Sequence, residues 1–302
     1  MMRRYLSLYL VPLMLGLAGC RAPATALTPA EQTVRAADSG TITGDVRRHA
    51  AFASKYLTDK RDLWVYLPPG YESHPRDRYP VLYMHDGNNL FDANTAFLGN
   101  EWHMDETAER MIRSGELPPL IIVGVSNTPA RLDEYTWKPG AMQGKPMGGK
   151  GSLYARMLVD EVKPFIDKTY RTKSDRANTG VMGSSLGGLI SLYLAKHEGA
   201  TFGKIGAMSP SIWWSDRAVL ADMKGLRTDD RLWLDMGTQE GDTPEDEVEG
   251  ARMLDQELLG FGYVSGRSLQ YMEDEGAGHN ESAWARRAPM ALRFLFGSTT
   301  TR

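Results

Sequence analysis

Gly180-Val181-Met182-Gly183-Ser184-Ser185-Leu186-Gly187-Gly188 carries an apolar, strand-like run directly into a helical pattern. Within it, Gly183-x-Ser185-x-Gly187 has the spacing of a nucleophile elbow, a strand-to-helix turn that holds a serine in a strained conformation with its hydroxyl exposed. The glycines are needed because backbone and helix approach closely at such a turn. Ser184 fails the same frame, since Met182 and Leu186 would then stand at the glycine positions. Gly-Ser stretches often mark only a turn. The strand before this one and the helix after it make Ser185 the candidate nucleophile.

On either side, short apolar runs alternate with longer helical patterns. Strands are expected at 62–67, 81–84, 120–125, 179–182, 204–208, 231–236 and 268–272. Several are continuously apolar, as strands covered on both faces are. Helices are expected at 104–114, 154–169, 186–197, 247–259 and 282–296, with Gly260 placed as a C-terminal cap of the fourth. This alternation predicts a mostly parallel, doubly wound α/β sheet flanked by helices. Such a sheet presents its chemistry at the carboxyl ends of its strands.

A serine hydroxyl is a weak nucleophile until a base takes its proton, and the base needs a carboxylate to orient it. Behind an elbow of this kind the chain order is serine, acid, histidine, which leaves His197 and His279 among six histidines. His197 falls at the far end of the helix that starts at Leu186, about three turns from the serine. His279, in Gly276-Ala277-Gly278-His279-Asn280, sits in the loop between the last strand and the last helix and is the candidate base. The acid is expected after the strand at 231–236, in Gly237-Thr238-Gln239-Glu240-Gly241-Asp242. Glu240 is the first choice, Asp242 the second, and Asp235 is disfavoured because it lies inside the strand. Two backbone amides should receive the oxyanion, that of Leu186 and that of Asn88, in the loop that follows Tyr83-Met84-His85-Asp86-Gly87.

Composition bounds the remaining classes. At 302 residues and 42% hydrophobic, the chain can fill one sizeable catalytic domain, placed here at 46–298. A net charge of −3, with no long basic run, argues against nucleic acid as a partner. No zinc-protease, phosphate-loop or dinucleotide motif occurs, and Asp86-Gly87-Asn88 does not continue into a calcium loop, so no metal or cofactor is expected. A monomer is the default.

The amino terminus differs in kind. Arg3 and Arg4 precede an apolar run at 5–17, followed by Ala18, Gly19 and Cys20, the only cysteine. The run is shorter than the roughly 20 residues a membrane span needs and has the layout of a secretory signal. Leu17-Ala18-Gly19-Cys20 resembles the lipobox of bacterial lipoproteins, which implies lipidation at Cys20 after removal of 1–19. By the same analogy, Arg21 favours the outer membrane. The expectation is an exported, outer-membrane or periplasm-facing protein that touches membrane only through this anchor. Residues 21–45, small and polar, read as a flexible tether.

The stretches Arg61-Asp62-Leu63-Trp64-Val65-Tyr66-Leu67-Pro68-Pro69-Gly70-Tyr71, Tyr79-Pro80-Val81-Leu82-Tyr83-Met84-His85-Asp86-Gly87-Asn88-Asn89-Leu90-Phe91-Asp92, the elbow, and Met208-Ser209-Pro210-Ser211-Ile212-Trp213-Trp214 together resemble the putative-esterase family. That family includes esterase D, feruloyl and acetyl-xylan esterases, siderophore trilactone esterases and mycolyltransferases. The resemblance spans about 44–296. It implies an α/β-hydrolase fold and carboxylic ester hydrolysis through Ser185 and His279. Relatives often show Gly-Thr-x-Asp where this chain has Gly237-Thr238-Gln239-Glu240, which keeps Asp242 open beside Glu240. Arg131, Tyr135, Trp213 and Trp214 are candidate substrate-binding residues, suited to a phenolic, carbohydrate or siderophore ester. An acyltransferase with the same triad and a non-catalytic anchored binding protein are the alternatives. The glycine- and lysine-rich stretch at 138–151 reads either as a mobile lid or as a long loop.

Overall fold

The computed structural model describes residues 31–35, 40–142 and 144–297. The apolar run at 5–17 and Cys20 lie outside the described residues. In chain order the strands are β1 Glu31–Arg35, β2 Asp45–Phe52, β3 Arg61–Leu67, β4 Val81–His85, β5 Ile121–Val125, β6 Pro139–Met142, β7 Lys145–Gly148, β8 Thr179–Ser184, β9 Lys204–Met208, β10 Arg231–Gly237 and β11 Leu269–Asp274. The helices are α1 Met104–Arg113, α2 Arg131–Glu134, α3 Gly151–Met157, α4 Lys163–Thr169, α5 Leu186–His197, α6 Trp214–Asp222, α7 Pro244–Gly260 and α8 Glu281–Phe296.

Nine strands form one sheet in the order β1-β2-β3-β5-β4-β8-β9-β10-β11. Pairing is antiparallel from β1 to β5 and parallel from β5 through β11. The parallel part needs helical crossovers, and these cover both faces. In β4, Val81 and Tyr83 enter one core while Leu82 and Met84 enter the other. Successive side chains alternate across a strand, so a strand buried on both faces must be apolar throughout. The α1 and α8 helices pack together on one face, with α8 lying on β9 and β10; α5 lies on β8 and β9 on the other face.

The seven strands expected from sequence are all present, within two residues at each end. The long helix expected at 154–169 is instead α3 and α4 joined by a π-helical turn at Leu158–Val162. Pro164 follows at the second position of α4 and offers no N–H to the ladder. Gly260 does not cap α7. The Phe261 N–H still reaches Glu257 O, so helical bonding continues past Gly260, and the left-handed conformation falls on Gly262 at φ 106°.

The described parts of 21–45 pack against the domain rather than hanging from it. The β1 strand pairs with β2, Ile42 is buried, and the Thr43 amide donates to Asp105 Oδ2 at 2.6 Å. One isoleucine among small polar residues gives no periodic signal, yet it suffices to anchor the segment. Residues 138–151 form the β6–β7 hairpin, seated on Trp214, whose indole Nε1–H donates to Lys138 O at 2.9 Å. Among the described residues no helix is long and apolar enough to cross a membrane.

Candidate active site

Ser185 stands between the end of β8 and the first turn of α5, at φ 58° and ψ −125°. Side chains other than glycine rarely occupy this region, and holding one there costs about 1–3 kcal/mol. The turn is locked from outside: the Ser185 N–H donates to Met208 O at 3.0 Å, and Ser185 O accepts from the Ser211 N–H at 3.1 Å. A Cβ on Gly183 would lie 2.9 Å from both Gly187 C and His85 Cδ2. Gly183→Ala is therefore expected to destabilise the fold by about 1–3 kcal/mol, read as a lowered urea midpoint at unchanged m-value.

His85 is buried beneath this turn, with Nδ1 2.8 Å from Tyr154 Oη. Burial pushes its imidazole down to about 3, so it stays neutral.

His279 Nδ1 lies 2.7 Å from Glu240 Oε2. With Nδ1–H donating to the carboxylate, Nε2 keeps its lone pair. The loops that carry the two residues are tied together: the Gln239 N–H donates to Ala277 O at 2.9 Å and the Gly276 N–H to Thr238 Oγ1 at 2.8 Å. Gly237 permits this approach, because a Cβ there would fall 2.4 Å from Ala277 O. Asp242 is exposed, and Asp235 is buried beside Arg287. Of the three carboxylates weighed from sequence, Glu240 is the one that meets the histidine.

Glu240 is itself held from behind. Its Oε1 accepts the Ser209 hydroxyl at 2.6 Å and the Gly237 amide at 2.7 Å. Ser209 Oγ in turn accepts from Trp284 Nε1 at 3.0 Å and Arg287 at 2.7 Å, which uses all three of the hydroxyl's bonding positions. Burial alone would raise the Glu240 pKa, but the hydrogen bonds from His279, Ser209 and the Gly237 amide outweigh it and hold the carboxyl below its ordinary value. Burial instead pushes Asp235 up to about 6, against the opposing pull of Arg287.

Ser185 and His279 line one cleft of about 500 Å³, together with Asp86, Asn88, Asn127, Arg131, Trp102, Trp284, Phe97 and Glu281. The Ser185 hydroxyl is hydrogen-bonded to Ser211 Oγ at 3.3 Å rather than to His279. Leu186 is the first residue of α5, and Asn88 lies in a single 3₁₀ turn, Gly87–Asn89. Amides at such starts have no acceptor within their own helix, which leaves both N–H groups available to a ligand.

The sequence-derived pocket residues divide. Arg131 lines the cleft, but its guanidinium is held by Asp86, at 2.7 Å from Nε to Oδ1 and 2.8 Å from Nη2 to Oδ2. Tyr135 is fully buried, and its hydroxyl accepts the Asp86 amide at 3.1 Å, behind the cleft wall. Trp214 is buried under the β6–β7 hairpin. Trp213 is half exposed and lines a separate hollow of about 160 Å³ with Arg217 and Glu247. The aromatic walls of the cleft are instead Trp102 and Trp284, whose ring centroids lie 5.7 Å apart with their planes tilted by 35°. The sequence reading missed these two and also Ser209 and Arg287. Arg287 left one signal: it interrupts the buried stripe Ala283, Arg287, Ala291 on α8, where an arginine needs buried acceptors.

A mostly parallel sheet with helices on both faces and a serine on a strained strand-to-helix turn defines an enzyme of the α/β-hydrolase class. The chain belongs to the family described as Putative esterase, which matches residues 54–295, and it is a carboxylic ester hydrolase. The Bacillus subtilis protein YbbA is 27% identical across 81% of this chain and 96% of its own length. An endo-1,4-beta-xylanase/feruloyl esterase of Xylanibacter ruminicola is 24% identical over 77% of this chain but only 29% of its own. The enterobactin esterase FES from Shigella flexneri superposes with a TM-score of 0.67 at 18% identity, over 84% of this chain and 60% of that structure.

Proposed function

We propose that Ser185, His279 and Glu240 hydrolyse an ester that carries a phenolic ring beside the scissile bond. The observation that supports this most is the meeting, in one cleft, of the elbow serine, His279, backed by Glu240 at 2.7 Å, and the neighbouring indoles of Trp102 and Trp284. The indoles and Phe97 offer flat apolar walls to an aromatic ring. Asn88, Asn127 and Arg131 offer hydrogen bonds to a polar remainder. Relatives named as feruloyl and enterobactin esterases fit this substrate class.

In this reading the Ser185 hydroxyl turns from Ser211 toward His279 as substrate binds. His279 Nε2 takes the proton while Oγ bonds to the carbonyl carbon, and the carbonyl oxygen gathers negative charge between the Asn88 and Leu186 amides. Collapse breaks the ester C–O bond, and Nε2 returns the proton to the departing alcohol. Water, deprotonated by the same nitrogen, then attacks the acyl-enzyme, releases the acid and restores Ser185.

A panel of feruloyl, catecholate-trilactone, acetyl-sugar and short aryl esters tests the substrate class. The feruloyl or catecholate ester is expected to exceed the acetyl sugar in kcat/KM by about tenfold or more, the discrimination a hydrophobic pocket supplies. Equal values would remove the aromatic assignment. No turnover of any ester, with no labelling of Ser185 by a fluorophosphonate, would remove the triad. The anchoring of the chain through Cys20 at an outer membrane is part of the same proposal; equal fatty-acid labelling of wild type and Cys20→Ser would contradict it.

A further inference from the structure

On either side of the cleft residue Trp102, Glu101 and His103 turn away from the cleft toward the first turn of α1. There His103 Nδ1 lies 3.7 Å from Glu101 Oε1 and 3.8 Å from Glu106 Oε2. One donor atom from each of the three residues falls within 4.8 Å of the others. These separations are too long for hydrogen bonds. They are slightly wider than the edge of a tetrahedral site, about 3.3–3.6 Å for ligand bonds of about 2.0–2.2 Å.

The second observation is what the carboxylates lack. The Glu101 side chain is 2% exposed, and its Oε2 has no hydrogen-bond partner. Glu106 Oε2, the atom that faces His103, also lacks a hydrogen-bond partner, although the Glu106 side chain as a whole is 38% exposed. Among the described residues, no lysine or arginine forms an ion pair with Glu101, Asp105 or Glu106. A carboxylate buried without a cation beside it is costly, so this group favours a positive ion.

We propose that Glu101, His103 and Glu106 bind a divalent transition-metal cation of the zinc type, distinct from the catalytic triad. One imidazole nitrogen with two carboxylate oxygens suits zinc, whereas calcium takes oxygen ligands alone. His103 is 59% exposed in its side chain, so an ion can enter from solvent and keep water in its remaining position. The Trp102 amide, between two ligands, donates to Asn89 O at 2.8 Å, and the following Met104 amide to Leu90 O at 3.0 Å. An ion held here would brace the segment that forms one wall of the cleft.

The test is calorimetric titration of zinc chloride into the purified full chain after chelator treatment, beside Glu101→Gln and His103→Ala. Wild type is expected to bind one equivalent, with Tm raised by about 5 °C or more at a hundredfold excess over Kd. Each variant is expected to weaken that binding at least tenfold. Because binding is the readout, the result does not depend on the esterase reading. If Glu101→Gln fails to fold, the exposed His103→Ala decides. No saturable zinc binding, unchanged binding in His103→Ala, or tighter binding of calcium than of zinc would each overturn the proposal.

Discussion

Ser185→Ala is expected to lower kcat by about 10⁶-fold, the scale seen when a triad serine is removed from a serine hydrolase. The reason is that every covalent step passes through one atom. In the proposed mechanism no acyl-enzyme forms without Oγ, and what remains is binding in the cleft plus the proposed oxyanion amides of Asn88 and Leu186, a residual catalysis of about 10³–10⁴-fold over water. Folding should survive, since the Ser185 hydroxyl has only a 3.3 Å contact to Ser211 to lose. The measurement is turnover of the best ester in the panel with active-site titration, alongside urea unfolding. Residual kcat within tenfold of wild type, at intact stability, would place the nucleophile elsewhere.

Glu240→Gln is expected to lower kcat by about 10⁴-fold, as when the triad carboxylate becomes an amide elsewhere. Glutamine keeps the shape but can present N–H to His279 Nδ1, which favours the tautomer with its proton on Nε2, the nitrogen that must act as base. The same change disturbs Oε1, which accepts from both Ser209 and Gly237. Some loss of stability should therefore accompany the loss of rate. Asp242→Asn, on an exposed side chain, is the comparison and should leave kcat within a few-fold. The reverse pattern would move the acid to Asp242. Because the Glu240 carboxyl is held below its ordinary value, its contribution to stability is present above the unfolded-state pKa and is lost only as pH falls through the lower, folded-state value.

What was legible in the sequence follows from how strongly one physical demand fixed each residue. The parallel strands could be read because burial on both faces leaves only apolar choices, as in Val81-Leu82-Tyr83-Met84. The α5 helix begins at Leu186, as expected, because the elbow fixes its start. The β2 strand was missed: Arg47 and Arg48 occupy a half-solvated antiparallel strand, where ion pairs with Asp45, Glu72 and Asp62 replace apolar packing. Ser185, His279 and Glu240 could be named as candidates because chain order and loop placement constrain them, and the last two meet at 2.7 Å. The cleft walls were not, since Trp102 and Trp284 lie 182 positions apart (284 − 102) and meet only through packing of the segments around α1 and α8. Adjacent tryptophans after β9 drew attention instead, and neither lines the cleft. Ser209 and Arg287 hydrogen-bond Glu240 and one another, and no local pattern announces a residue whose partner is another side chain.

The backbone at Ser185 has a consequence for the history of the gene. At φ 58° and ψ −125°, glycine would sit without strain. At most positions a working residue and a comfortable one coincide, so drift after loss of use leaves little trace. In the proposed mechanism the two are opposed here, because the reaction needs a side chain at a backbone position that favours glycine. A duplicated copy relieved of its reaction gains stability by a single change at this codon, and descendants that keep serine identify themselves as lineages in which the reaction is still under selection.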